Sequence, residues 1–340
     1  MIGRRTFLLT PLALARAADQ ASNLVLITAS GWRGQAVPWA EDPDLVAPNL
    51  KKFGEQSVVV ARAYCCSPKP ELAQTALATS RFPHAANLHD QALGGLQTRP
   101  LDGAFKKTPF AVRISLASRG GPGLGPVHLR GNVPSQNEPH ARATLANFYG
   151  ARKNDDAMLG EILATLDKLN LARDTIVCFT SDCGQQLGSH GIDGGEVPYE
   201  ESVRIPLAIR YPRKLEPGMR DLASQIDILP TLLALQGVEI PDKAQGVDLF
   251  GKSPREVVFA EGKLGEAEEW RMLLRGYDKV IATPKGDITS LFNLADDPLE
   301  MTDLVHDPAQ KLMLASLKAE LLAQMKKLYD GMDPSGLRRR

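Results

Sequence analysis

Four apolar runs set the framework of the chain. Leu24-Val25-Leu26-Ile27 has the length and continuity of a strand buried on both faces, and residues 110–116, 175–179 and 207–209 repeat that signature. Between them the period changes to helical. Residues 155–169 place Met158, Ile162, Leu163 and Leu166 on one stripe behind the capping-type residue Asn154, and 226–235 form a second helix with Asp227 early and Gly237 just past its end. Strands alternating with helices predict an α/β fold whose sheet is mostly parallel and covered on both faces. After Asp248 the pattern shortens to β-like segments at 257–259, 271–274, 279–282 and 290–292. A final helix over 307–329 carries Leu312, Leu314, Leu317, Leu321 and Met325 as its apolar stripe. The expected division is a leader at 1–18, an α/β domain at 19–248, and a small C-terminal subdomain of antiparallel sheet plus helix at 249–335.

Composition narrows the function classes. The 340 residues are 43% hydrophobic and 24% charged, with 40 basic and 40 acidic side chains. A zero net charge argues against a nucleic-acid partner, which needs an excess of Lys and Arg, and 6% aromatics argue against a stacking platform for single strands. Four cysteines are too few for a disulfide scaffold. The leader has a basic Gly3-Arg4-Arg5, an apolar stretch from Phe7 to Leu14, and Ala15-Arg16-Ala17 as a cleavage site. Arg4-Arg5-Thr6-Phe7-Leu8 resembles a twin-arginine export signal, an ordinary secretory signal being the plainer reading. Either places the protein outside the cytoplasm, in the periplasm or the medium. No later run approaches the roughly 20 apolar residues of a membrane span.

Several separated motifs carry a family likeness. Asn23 to Thr28, then Ala47-Pro48-Asn49-Leu50, Ala63-Tyr64, Ser67-Pro68 and Thr79-Ser80-Arg81-Phe82-Pro83-His84 occur in that order. Phe179-Thr180-Ser181-Asp182 with Gly184, Leu187-Gly188-Ser189-His190-Gly191, and Pro198-Tyr199-Glu200-Glu201-Ser202-Val203-Arg204-Ile205-Pro206-Leu207 follow. Ile226 to Leu232, Leu291-Phe292-Asn293-Leu294, Asp297-Pro298 and Glu300 complete the set. Together they resemble the sulfatases of the alkaline phosphatase superfamily. The resemblance implies an alkaline-phosphatase-like sheet flanked by helices. It also implies sulfate-ester cleavage by a formylglycine made from cysteine, with calcium clamping the substrate oxygens and Lys and His donors stabilising developing charge.

The resemblance also says where those groups should stand. The paired metal aspartates fall at Ala29 and Ser30, the modifiable cysteine at Pro70, and the arginine after it at Gln74. A later aspartate ligand remains as Asp182, but its neighbour is Cys183, a soft donor that suits calcium poorly. A family lysine falls near Gly195 and a Pro-His pair near Arg119-Gly120. The interval from Arg81 to Phe110 holds no Lys-x-x-His pair. The expectation is therefore a pole without nucleophile, without cationic donors and without a cofactor. Asp182 and Cys183 would be the remnant of a metal site, either satisfied locally or joined by His190.

The alternative is an active sulfuric ester hydrolase that uses Cys66, in Cys66-Ser67-Pro68, or an altered metal site, with calcium as its cofactor. Cys65 and Cys66 otherwise read as a packed pair, and the charges Glu200, Glu201 and Arg204 as a loop fixed by ion pairs. His84 and His190 read as packing residues, and His128, His140 and His306 as surface residues without partners. The leading expectation is a catalytically degenerate protein with a scaffold or binding role, its partner a carbohydrate or another exported protein.

Overall fold

The computed structural model describes residues 22–85, 111–118 and 126–328. The leader, the interval 86–110 and Arg119-Gly120 lie outside the described residues.

Among these, a seven-stranded sheet is built from β1 (Asn23–Ala29), β2 (Val58–Tyr64), β3 (Ala111–Leu116), β4 (Thr175–Ser181), β5 (Arg204–Ile205), β6 (Leu207–Arg210) and β7 (Gly218–Ser224). Its order is β3-β1-β4-β6-β2-β5, with β7 paired to β2. β3, β1 and β4 pair in parallel, as do β2 and β7, whereas β5 and β6 run against their neighbours. Five strands thus share one direction, which is the mostly parallel sheet that the continuous apolar runs predict.

Alternation along β1 explains why the whole run is apolar. Leu24 and Leu26 enter one core, with Ile176, Cys178 and Ile209, while Val25, Ile27 and Ala29 enter the other, with Val177 and Phe179. The second core is covered by α1 (Pro48–Glu55) and α3 (Glu138–Lys168), through Leu50, Phe53, Leu145, Leu159, Ile162 and Leu166. α2 (Pro70–Thr79), the single turn α4 (Glu200–Val203) and α5 (Ile228–Gln236) complete the helices of this part. Gly237 ends α5 at φ 71°, in the left-handed region that glycine enters freely.

α3 corrects one expectation. It runs for 31 residues, so Asn154 lies in its interior on the exposed face and caps nothing. The helix extends further back because Ala141, Leu145, Phe148 and Tyr149 continue the buried stripe. Asp156 on this helix has a long-range task. Its carboxylate accepts the backbone N–H groups of Asn49 and Leu50 at 3.2 and 2.7 Å, capping α1, whose own N-cap residue Ala47 has no side-chain acceptor.

The second sheet, β8 (Val257–Gly262), β9 (Trp270–Arg275), β10 (Asp278–Ala282) and β11 (Ile288–Asn293), is antiparallel in the order β11-β10-β9-β8. Its Val258, Ala260, Met272 and Leu274 share a core with Leu24, Val60 and Ile209 of the main sheet. Its other face holds α6 (Lys311–Leu328) through Leu317, Leu321 and Met325. Leu312, expected on that stripe, is 86% exposed, whereas its neighbours Met313 and Leu314 pack against that core.

Candidate functional site

The parallel strands end at one pole, the place where open α/β sheets bind ligands. Ser30 follows β1, Ala117 follows β3, Asp182 follows β4, Cys65 and Cys66 follow β2, and Gln225 follows β7. Asp182 is 1% exposed. Its Oδ1 accepts the backbone N–H of Gly31 at 2.9 Å and that of Cys183 at 2.8 Å. Its Oδ2 lies 3.4 Å from Nε2 of Gln74. The backbone carbonyls of Ser181 and Asp182 both accept from Nε2 of Gln225, at 3.0 and 2.9 Å. The loop after β4 is therefore tied to the loops after β1 and β7, with the Asp182 carboxylate as its internal cap.

The positions that the resemblance assigns to the nucleophile and its arginine are also filled by structure. Pro70 opens α2 as its first residue, where its missing N–H costs nothing, and its ring carries no nucleophile. Gln74 sits one turn later and reaches Asp182. Cys66 is fully buried among Ala76, Phe82, Ile226 and Phe259, its Sγ 3.7 Å from Oε1 of Gln225. Burial pushes its thiol far above the ordinary cysteine range, with the Glu261 carboxylate adding to the shift. Cys65 and Cys66 are separate free thiols, as a packed pair should be.

The expected lack of cations at this pole is corrected. Arg113 of β3 and Arg152 of α3 stand close enough to Asp182 for its charge to act on both. Arg113 donates from Nε to Thr28 Oγ1 at 3.2 Å, and Arg152 from NH1 to the Ser30 carbonyl at 2.9 Å. Arg152 also faces Asp155, one turn along α3, at 3.2 Å. Burial pulls both guanidinium groups below their ordinary pKa, and the neighbouring carboxylates oppose that pull. Neither arginine falls in a family motif, and the register that brings Arg113 beside β1 is not visible in sequence. Ser30, Ser118, Thr144, Asn147, Phe148, Arg152 and Gln185 border a cleft of about 470 Å³ here.

A calcium ion does not fit these residues. It takes six to eight oxygen ligands, several of them anionic. Among the described residues, the positions that the resemblance assigns to metal ligands hold Ala29, Ser30, Asp182, whose Oδ1 already accepts N–H groups, and Cys183. Burial and the adjacent Asp182 hold the Cys183 thiol well above its ordinary pKa, and its sulfur is a soft donor that suits calcium poorly. Arg113 and Arg152 add positive charge where a cation would sit.

His190 does not join Asp182. It gathers with Glu201 and Glu300, and its ring stacks on Tyr199 with centroids 4.0 Å apart. The Glu200 to Arg204 segment does fix its loop by ion pairs, with partners that sequence reasoning missed. Fully buried Lys279 lies 3.1 Å from Glu200 and 2.7 Å from Glu300. Glu200 also accepts from the Tyr64 hydroxyl at 3.0 Å, and its backbone N–H donates to Glu300 at 2.7 Å. Glu201 pairs with Arg130 at 3.1 Å and accepts from Asn132 at 2.9 Å. The surface histidines gain partners too: His128 faces Asp44 at 2.8 Å and His140 faces Asp193 at 3.0 Å. His84 is buried 2.7 Å from Glu261, a packing role as expected.

The sulfatase family profile matches residues 121–238, which span the loop after β4 and the segment of Glu200, Glu201 and Arg204. Over that segment the chain is similar to the sulfatases. It is 26% identical to an arylsulfatase of Clostridium perfringens over 206 residues, 57% of this chain and 43% of that one. The chain matches less than half the length of the curated relatives it is similar to. A 2-O GAG sulfatase structure superposes with a TM-score of 0.77 at 17% identity, covering 91% of this chain and 93% of that one. The phosphonate monoester hydrolase of Agrobacterium radiobacter does so at 0.75 and 16%, covering 90% and 96%. Two different reactions on one architecture mean that the likeness fixes the alkaline-phosphatase-like fold and leaves the chemistry to the site.

Proposed function

We propose that this sulfatase homologue is an exported protein that has lost sulfate-ester hydrolysis and acts by binding. The observation that carries the reading is the state of the pole. Asp182, the carboxylate left at a metal-ligand position, is spent on the N–H groups of Gly31 and Cys183, and Pro70 stands where a nucleophile would. Losing one charge-stabilising donor costs about a hundredfold to a thousandfold in rate. Here nucleophile and metal cage are missing together, so no single surviving group restores the reaction. The export reading rests on the composition of residues 1–18.

The partner class that suits the cleft is a carbohydrate. Ser30, Ser118, Thr144, Asn147 and Gln185 offer hydroxyl and amide groups beside the Phe148 ring, the mixture that reads sugar hydroxyls and covers a sugar face. The test is hydrolysis of an aryl sulfate by the purified protein, together with metal analysis and intact mass. Turnover no higher than that of Asp182→Ala, no stoichiometric calcium and an unmodified Cys66 are expected. Turnover above that variant, or a mass loss localised to Cys66, would restore the sulfuric ester hydrolase reading.

A further inference from the structure

Four segments far apart in sequence bring ligand-type side chains to one point. Asn132 lies in the turn before α3, His190 in the loop after β4, Glu201 on α4 and Glu300 past the end of β11. One ligand atom from each of His190, Glu201 and Glu300 lies within 4.8 Å of the other two. The Asn132 amide reaches in among them: its Nδ2 donates to Glu201 Oε1 at 2.9 Å and stands 3.2 Å from His190 Nε2. An amide nitrogen can only donate, so Nε2 of His190 is the unprotonated ring nitrogen and its lone pair faces the cluster.

Acceptors outnumber donors at this point. Glu201 is 1% exposed and Asn132 2%, yet Glu201 Oε2 and Asn132 Oδ1 have no hydrogen-bond partner among the described residues. The Leu299 carbonyl competes for the same Nδ2 at 3.4 Å, so its two hydrogens face three acceptors. The charges are uneven too. The buried carboxylates Glu200, Glu201 and Glu300 share two cations at ion-pair distance, Lys279 and Arg130. One negative charge is left over where burial makes it costly. A proton on Glu300 would offset that charge, but it brings a single donor where two acceptors lack one.

The chain also holds two of these residues in an unusual backbone state. His190 and Glu300 are left-handed, at φ 55° and 52°, a region that residues with side chains seldom enter. The His190 N–H is gripped by the Asn132 carbonyl at 2.7 Å, and its ring by the stack on Tyr199.

We infer that His190, Glu201, Glu300 and Asn132 form a site for a divalent transition-metal ion, with zinc the ion of closest fit. Four ligands at about 2.0–2.1 Å from zinc stand about 3.3 Å from one another. Nδ2 of Asn132 already keeps close to that spacing from Glu201 and His190. Half a turn of the amide puts Oδ1 in its place as the fourth ligand, exchanging one unpartnered atom for another. Lys279 then remains with Glu200, 3.1 Å away. No residue of the pole takes part, so the site holds whether or not the pole is catalytic.

The test is calorimetric titration of the full chain with zinc chloride, after stripping with EDTA and dialysis to remove the chelator. One zinc ion per chain should bind saturably and raise the melting temperature. His190→Asn removes the imidazole with a residue that accepts left-handed backbone. It should weaken binding by about tenfold or more while the far-UV spectrum stays close to wild type. His128→Asn, at an exposed His–Asp pair, and Asp182→Ala, at the pole, should bind zinc as wild type does. Cobalt(II) in place of zinc gives a readout that needs no variant. Visible d–d bands are expected, without the near-ultraviolet thiolate band that any of the four cysteines would add. No saturable zinc binding, unchanged binding in His190→Asn, binding lost in either control variant, or a thiolate band with cobalt would overturn the assignment.

Discussion

Buried carboxylates in two regions of this molecule rest on different principal partners. At the pole, Asp182 is held by backbone N–H groups of its own and a neighbouring loop. At the junction of the two sheets, Glu200 and Glu300 share the single ammonium of Lys279. Backbone donors are fixed by the fold and withstand side-chain change. A shared ammonium makes two acids depend on one residue. The pole is thus held by the backbone, while the junction is the vulnerable point of the architecture.

Removing the shared cation should break the contrast most. Lys279→Met leaves two buried carboxylates without their shared cation, and uncompensated buried charge typically costs about 3–5 kcal/mol. Urea unfolding is expected to show that loss, and a cost below about 1 kcal/mol would mean that the junction is not the weak point. Asp182→Ala comes next. It orphans the N–H groups of Gly31 and Cys183. A loss of about 2 kcal/mol is expected by the same measurement. A variant of raised stability would show that the cost of burying this charge outweighs its capping.

The smallest effect is in pH. Burial, with the Glu200 charge adding to it and Lys279 opposing, raises Glu300 to about 7. A carboxyl raised on folding is protonated in the native state at pH values where the unfolded chain has released its proton. Its contribution is therefore complete below about pH 4.3 and lost as pH rises through about 7. Glu300→Gln should flatten that decline, changing the stability difference between about pH 5 and pH 7.5 by about 1–2 kcal/mol, since a tenfold change in proton affinity is worth about 1.4 kcal/mol. Parallel profiles for the variant and the wild type would remove Glu300 from the account.

Much of the fold was legible because burial on both faces leaves a plain mark. The runs at β1, β4 and β6 are apolar throughout, since odd and even positions enter different cores. The start of α3 was not legible. Asn154 has the chemistry of a cap, but capping depends on what precedes it, and the preceding stripe is diluted by exposed polar residues. At the site, Pro70, Gln74, Asp182 and Cys183 could be placed from motifs, because motif spacing is local. Lys279 meets Glu200 across 79 positions and Arg113 approaches Asp182 across 69, separations over which no periodicity speaks.

The cap that Asp156 provides for α1 sets an order of assembly. An eight-residue helix is too short to persist alone. Its acceptor arrives 106 residues after Leu50, on a helix that must itself dock before it can serve. The first layer over the sheet therefore cannot close early in synthesis, and its formation waits on a contact of high sequence separation, the kind that slows folding. Closure of this layer from the unfolded state is expected to follow the docking of α3.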